Sequence, residues 1–335
     1  MRSCLVLLLA LVLPPAAFTQ GRIVGPYTLH PIIPGVVRIE DANPGNPAGI
    51  HLDEQGKPKG LNNCSDMYLI AGRDQALLID LSNAITWDLP PRTDGTAGRL
   101  ANPAERDVRG AMPSPTAVAS LQTLVGEEIG SRKLQVTVTH LHGDHTGMLP
   151  AFTDDPHVTF WIHADEFAGK DLFPAERTIP TAGHPSLDLG GGFIVDVVEV
   201  PGHTDHSTVY FLRGKNLLFS GDAIGSGGGV WLFSADAFAR YRQSVDRLIA
   251  YIRDPAHGVD ESRLRIFGGH YWQARDKRTL TMQYILDMQK LIVQIHAGTA
   301  REEEVAFGPY LNRNFISGEA IITWNKADAD RLKTE

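Results

Sequence analysis

Within six residues, His140-Leu141-His142-Gly143-Asp144-His145, the chain places three imidazoles and a carboxylate. These are ligand types that suit zinc and its first-row neighbours. His140 and His142 stand two apart, so in extended backbone they project to one side and can grip one ion. Asp144 and His145, just past Gly143, can turn toward a second. Three more residues of the same chemistry lie downstream: His203 in Pro-Gly-His-Thr, Asp222 in Ser-Gly-Asp and His270 in Gly-Gly-His. Each follows an apolar run and stands beside glycine, so each can face a shared mouth at the end of a sheet. His140, His142 and His203 would hold one ion and Asp144, His145 and His270 the other, with Asp222 bridging. Two divalent ions about 3.5–4 Å apart hold a hydroxide between them and polarise an electrophile.

The elements that must deliver these side chains are mostly short and β-branched. Gln135 to Thr139 reads as a strand with Val136 and Val138 on one face and Thr137 on the other. The ligand loop leaves its C-terminal end, with Gly143 and Gly147 allowing a tight backbone path. Upstream, Ile32 to Ile39 reads as one strand interrupted at Pro34-Gly35, and 67–71 with 76–80 as a hairpin across Gly72 to Gln75. Thr116 to Ile129 has helical spacing, Pro115 suits its start and Gly130 its end. His157 to Ile162 is a strand, Ala164 to Phe167 a short helix, and Phe173 to Leu189 irregular. The strand Phe193 to Val200 stops at Pro201-Gly202 before His203. The hairpin 208–212 and 216–220 delivers Asp222, and the strand Leu264 to Phe267 runs into His270. Ala235 to Ile252 and Leu280 to Ile295 are amphipathic helices, and Ala320 to Trp324 a terminal strand. Asn83 to Ser114 is long, proline-rich and weakly patterned, which suits a lid beside the metal site.

The 335 residues are 43% hydrophobic and 21% charged, enough to bury a large core. No break separates two cores, so residues 21–335 are expected to form a single metallo-hydrolase domain. The formal charge of −8 comes without a basic block, which argues against nucleic acid as a partner. Residues 1–20 read as a secretory signal: Arg2 gives a positive start and Leu5 to Leu13 an apolar run too short to span a bilayer. The expected location is therefore secreted or periplasmic, with no membrane association after the leader is removed. Cys4 leaves with that leader, so Cys64 would be a lone thiol with no internal disulfide.

With His140, His142, Asp144 and His145 forming an HxHxDH signature, followed in order by His203, Asp222 and His270, the chain resembles the metallo-β-lactamase superfamily. The resemblance implies an α/β fold, an αββα sandwich of two mixed β-sheets flanked by helices, with a dinuclear site at one edge. It also matches Asp80, an aspartate after an apolar strand, to a group that hydrogen-bonds near the site and orients ligands. The full ligand set resembles glyoxalase II and the lactonases more than the β-lactamases, which usually lack a bridging aspartate at the position of Asp222. The tyrosine that quorum-quenching lactonases often carry after that aspartate is absent, and His142 argues against the flavin-dependent diiron branch. Where many relatives have Thr-Pro-Gly-Ser after the third histidine, this chain has Thr204-Asp205-His206-Ser207.

The expected function is hydrolysis of a small ester, lactone, thioester or amide with two Zn2+ per chain, a small molecule being the substrate. Asp144 serves as ligand and as the catalytic group that orients the nucleophile or passes a proton. The alternative is a mononuclear iron oxygenase resembling the persulfide dioxygenases, and β-lactam hydrolysis is expected only as a weak side activity. His163, His184 and His206 read as structural or surface histidines. Trp231, Phe233, Tyr271 and Trp272 flank Asp222 and His270 and could supply apolar walls. Asn63-Cys64-Ser65 matches a glycosylation sequon.

Overall fold

The computed structural model describes residues 21–41, 65–85, 112–274, 278–307 and 310–332, the side chain of Trp272 aside. The expected leader, Cys64, the Asn63 of the sequon and all but the ends of the expected lid lie outside these residues.

The chain alternates strands and helices in the order β1 (Arg22–Val24), β2 (Tyr27–Ile33), β3 (Val36–Asp41), β4 (Asp66–Ala71), β5 (Gln75–Ile79), α1 (Pro115–Ile129), β6 (Lys133–Thr137), α2 (Gly143–Thr146), α3 (Pro150–Thr153) and β7 (Val158–Ile162). Then come β8 (Thr178–Pro180), β9 (Ser186–Asp188), β10 (Ile194–Glu199), β11 (Thr208–Leu212), β12 (Leu217–Gly221), β13 (Val230–Trp231), α4 (Ala235–Arg253) and β14 (Arg265–Gly268). The last elements are α5 (Met282–His296), β15 (Arg301–Glu304), β16 (Arg313–Ser317), β17 (Ala320–Trp324) and α6 (Lys326–Leu332).

Strands β1 to β8 form one eight-stranded sheet in chain order, antiparallel as far as β5 and parallel from β5 to β8. A second sheet has the order β14-β12-β11-β10-β9, with β12 and β14 parallel. Both sheets are mixed, as expected, and they pack face to face through Tyr68, Leu77 and Ile79 on one side and Tyr210, Leu217 and Phe219 on the other. The alternate residues Ala76 and Leu78 of β5 lie under α1 with Leu121, Leu124 and Val125. Strand β5 is thus buried on both faces, which is why Ala76 to Ile79 reads as one continuous apolar run. Helices α4 and α5 cover the outer face of the second sheet through Tyr241, Val245, Leu248, Tyr284, Ile285 and Met288. Helix, sheet, sheet and helix are therefore stacked in that order.

Several boundaries differ from the sequence reading. Ile32 to Ile39 is two strands, β2 and β3, turning at Pro34-Gly35 and paired antiparallel. The proline and glycine mark the hairpin turn itself and are not an interruption within one strand. Ala164 to Phe167 is a 3-10 turn, and the stretch Phe173 to Leu189 contains the short strands β8 and β9. A third sheet, β13-β17-β16-β15, adds to the expected pair and packs against α5. Among the described residues no helix is long and apolar enough to cross a membrane.

Candidate metal centre

Each candidate ligand follows the C-terminal end of a strand: the 140–145 cluster after β6, His203 after β10, Asp222 directly after β12 and His270 two residues after β14. Stacking two sheets whose parallel strands end on one edge brings these separate loops together. Gly269 makes the approach possible, because a Cβ there would meet His145 Cε1 at 2.5 Å and Asp222 Oδ1 at 2.8 Å. Of the two glycines expected to permit a tight path in the 140s loop, only Gly147 is pressed by its neighbours. A side chain at Gly147 would collide with the Asn83 and Ala84 backbone, whereas Gly143 has open space beside it.

The seven side chains fall into overlapping groups. His140 Nε2 and His203 Nε2 each lie 3.0 Å from His142 Nδ1. On the other side, His270 Nε2 lies 3.5 Å from Asp144 Oδ2. Asp222 sits between them: its Oδ2 is 3.2 Å from His270 Nε2, 3.7 Å from His145 Nε2 and 3.7 Å from His203 Nε2.

The surrounding hydrogen bonds aim the ring nitrogens. His203 Nδ1–H donates to the Trp231 carbonyl at 3.0 Å, which leaves its Nε2 lone pair facing inward. His145 Nδ1–H donates to Asp80 Oδ2 at 2.9 Å, and its buried Nε2 has no hydrogen-bond partner, nor does Asp222 Oδ1. Asp80 also accepts from Thr139 N–H at 2.7 Å and from the Thr139 hydroxyl at 3.0 Å. It adopts φ 62°, a left-handed conformation that costs a non-glycine residue energy and that aspartate tolerates better than most. Three hydrogen bonds to one buried carboxylate offset that cost.

Charge divides the centre into two halves. Burial, reinforced by the neighbouring imidazoles, holds His140 well below its ordinary pKa; burial and His203 bring His142 to about 4, and burial lowers His203. This half is three neutral imidazoles with converging lone pairs. In the other half, burial alone would also lower His145 and His270, but carboxylates outweigh it. Asp80, Asp144 and Asp222 hold His145 well above its ordinary value, and Asp222 and Asp144 raise His270 to about 9. Burial would raise Asp222, and His270 and His145 reverse this and hold it well below the usual carboxylate range. Three converging neutral imidazoles on one side, and carboxylates with the unpartnered His145 Nε2 on the other, fit divalent cations with nitrogen and oxygen ligands.

Some supporting residues carry no sequence signal. Glu166, buried in the 3-10 turn after β7, accepts from Leu141 N–H at 2.8 Å and from His206 N–H at 3.0 Å. One carboxylate thereby ties the loop of His140 and His142 to the loop of His203. Asp66, ion-paired with buried Arg38 at 2.5 Å, accepts from Tyr271 N–H at 2.6 Å and steadies the His270 loop. The Ser226 hydroxyl accepts from His270 N–H at 2.9 Å. The lesser histidines sit apart from the centre. His184 is exposed, and His206 stacks on His163, whose Nε2 pairs with Glu199 at 2.9 Å. Asp205 pairs with Arg240 on the surface. Of the expected apolar walls, the Phe233 ring lies against His142 and His203 and Trp231 reaches the centre through its carbonyl, whereas the Tyr271 ring lies under the Arg38 guanidinium at 4.2 Å.

Residues 129–257, which include every candidate ligand except His270, match the family model described as metallo-beta-lactamase superfamily. That segment is similar to a metallo-β-lactamase superfamily domain. The chain's sequence is similar to the hydroxyacylglutathione hydrolases of Halorhodospira halophila, 36% identical over 37% of this chain and 45% of that one, and of Rhizobium meliloti, 28% identical over 50% and 58%. The chain thus spans about half the length of the relatives it matches. Its fold is similar to that of a metallo-β-lactamase from Pontibacter korlensis, with a TM-score of 0.50 and 14% identity over 80% of this chain and 99% of that one. The metallo-β-lactamase fold accounts for the shared edge to which its strands deliver their ligands.

Proposed function

We propose that the protein is an exported dinuclear zinc hydrolase of a small ester, lactone, thioester or amide. The observation that carries this reading is the position of Asp222, whose Oδ2 faces His203 of one ligand group and His145 and His270 of the other. A carboxylate between two ligand sets suits a two-ion centre, whereas one ion would leave several of the seven ligands unused. The names of the hydroxyacylglutathione hydrolases support a thioester among the candidates. Export is supported by Arg2 and the apolar run Leu5 to Leu13.

His140, His142 and His203 would hold one zinc and Asp144, His145 and His270 the other, with Asp222 shared. Bound zinc supplies Lewis acidity, activating water and stabilising negative charge on a carbonyl oxygen. Asp80 keeps the His145 lone pair aimed inward by accepting its Nδ1–H. Asp144, the more exposed of the two site carboxylates at 30% against 18% for Asp222, is the one that can reach substrate. As catalytic group, it orients the attacking water and carries a proton on a carboxylate oxygen to the leaving atom.

Metal-counted protein assayed with an aryl ester, a γ-lactone, a glutathione thioester, a cephalosporin and a phosphodiester tests this reading. The expected result is the highest kcat/KM for one of the first three. A cephalosporin or a phosphodiester as the best substrate would replace it.

A further inference from the structure

Phe233 and Phe307 remain open to solvent at 44% and 43% exposure, although both are large and apolar. They are far apart in the sequence and are joined by Trp231. The Trp231 ring stacks on Phe307 with centroids 5.2 Å apart and 18° between planes, and it lies 6.2 Å from Phe233. Phe233 stands perpendicular to the His142 ring at 5.7 Å and lies 5.4 Å from His203. The three rings make one strip, beginning against the His142 and His203 half of the centre and running out over the third sheet. Single exposed apolar residues are ordinary, but a contiguous group abutting a candidate centre marks a ligand surface. Core packing cannot account for the exposed parts of Phe233 and Phe307.

We infer that this strip is the substrate-side wall of the centre and selects carbonyl compounds bearing a neutral apolar group, an aryl or medium-chain acyl group; this rests on the hydrolase reading above. The chemistry is complementary: ring faces gain by covering apolar surface and carry partial negative charge, which disfavours a carboxylate laid across them. Glutathione, with two carboxylates, is a poor occupant of such a wall. Trp231 also ties the wall to the ligands, because the residue that stacks on Phe307 accepts from His203 through its carbonyl. Phe233 and Phe307 are therefore specificity-determining residues: Phe233 lies two residues past β13 against His142 and His203, and Phe307 lies three residues past β15 at the far end of the strip.

Binding can be read without turnover. Metal-loaded protein is titrated by calorimetry with octanoate and with acetate, carboxylates that differ only in apolar chain. Octanoate should bind roughly tenfold tighter or more. At matched metal content, Phe233→Ala and Phe307→Ala should each shrink that ratio severalfold, and Phe307→Leu should keep most of it. Equal binding of the two acids, or a ratio untouched by both alanine variants, overturns the inference. Hydrolysis of ethyl octanoate and ethyl acetate, followed by pH-stat, then separates the two claims. Failure to hydrolyse either ester, together with the aryl ester, γ-lactone and thioester of the panel above, sinks the hydrolase reading and leaves the wall standing if the binding preference is intact. Equal kcat/KM for both esters sinks the wall and leaves the hydrolase reading standing.

Discussion

Without the Asp222 carboxylate, His145, His203 and His270 would lose the one carboxylate among the described residues that lies within 4 Å of all three. Asp222→Ala is expected to lower bound metal to one ion or fewer per chain and turnover by roughly a hundredfold or more. Elemental analysis beside steady-state kinetics checks both, and two retained ions with near-normal turnover would refute the bridging role. The candidate ligands were legible at this scale because each belongs to a short glycine-containing stretch that carries imidazole or carboxylate just after an apolar run. Asp80 was reached only through the resemblance. Glu166 and Ser226 were not legible, because their work is to accept backbone N–H groups from loops distant in sequence. Only the folded chain brings those donors within reach.

At the scale of elements, two carboxylates pin loops and strands, and each gives a test. Glu166 joins the loop after β6 to the loop after β10. Glu166→Ala leaves the Leu141 and His206 N–H groups without their acceptor, which costs about 1–2 kcal/mol for partly buried donors. It should also weaken metal binding about tenfold, with Glu166→Gln intermediate. Denaturant unfolding and metal titration read the two effects, and a variant matching the parent in both would show that the clamp is idle. Asp196 on β10 accepts from Arg213 at 2.6 and 2.9 Å, from Ser186 at 2.5 Å and from Tyr251 of α4 at 2.7 Å. Burial would raise its pKa, but these donors outweigh burial and depress it. A depressed carboxylate contributes stability that is full above its unfolded pKa and is lost as pH falls through its lower folded one. Asp196→Asn should therefore be less stable than the parent at neutral pH, with the gap closing as pH falls below about 4. A gap that stays constant with pH would contradict this. The β4–β5 and β11–β12 hairpins and the amphipathic helices were legible from alternation and helical spacing, whereas the β2–β3 hairpin read as a single strand. Strand β15, Arg-Glu-Glu-Glu, was not, because its charged residues show no apolar alternation and pairing with β16 alone makes it a strand.

For the molecule as a whole, the sandwich brings the loops after β5, β6, β10, β12 and β14 to one edge, and the helices on its two faces bury the rest. The two sheets followed from a resemblance carried by a handful of ligand residues, since neither composition nor periodicity alone distinguishes this stacking from other α/β arrangements. The third sheet lay beyond that resemblance, and it supplies the aromatic strip. The central claim, that two zinc ions share Asp222 in a working hydrolase, is tested most directly by titrating metal-free protein with zinc. Bound ions are counted at each step while ester hydrolysis is followed. Turnover that appears with the second equivalent and saturates at two zinc ions per chain is the predicted result. Full activity at one equivalent, or activity that follows a single iron per chain with consumption of oxygen, would contradict it.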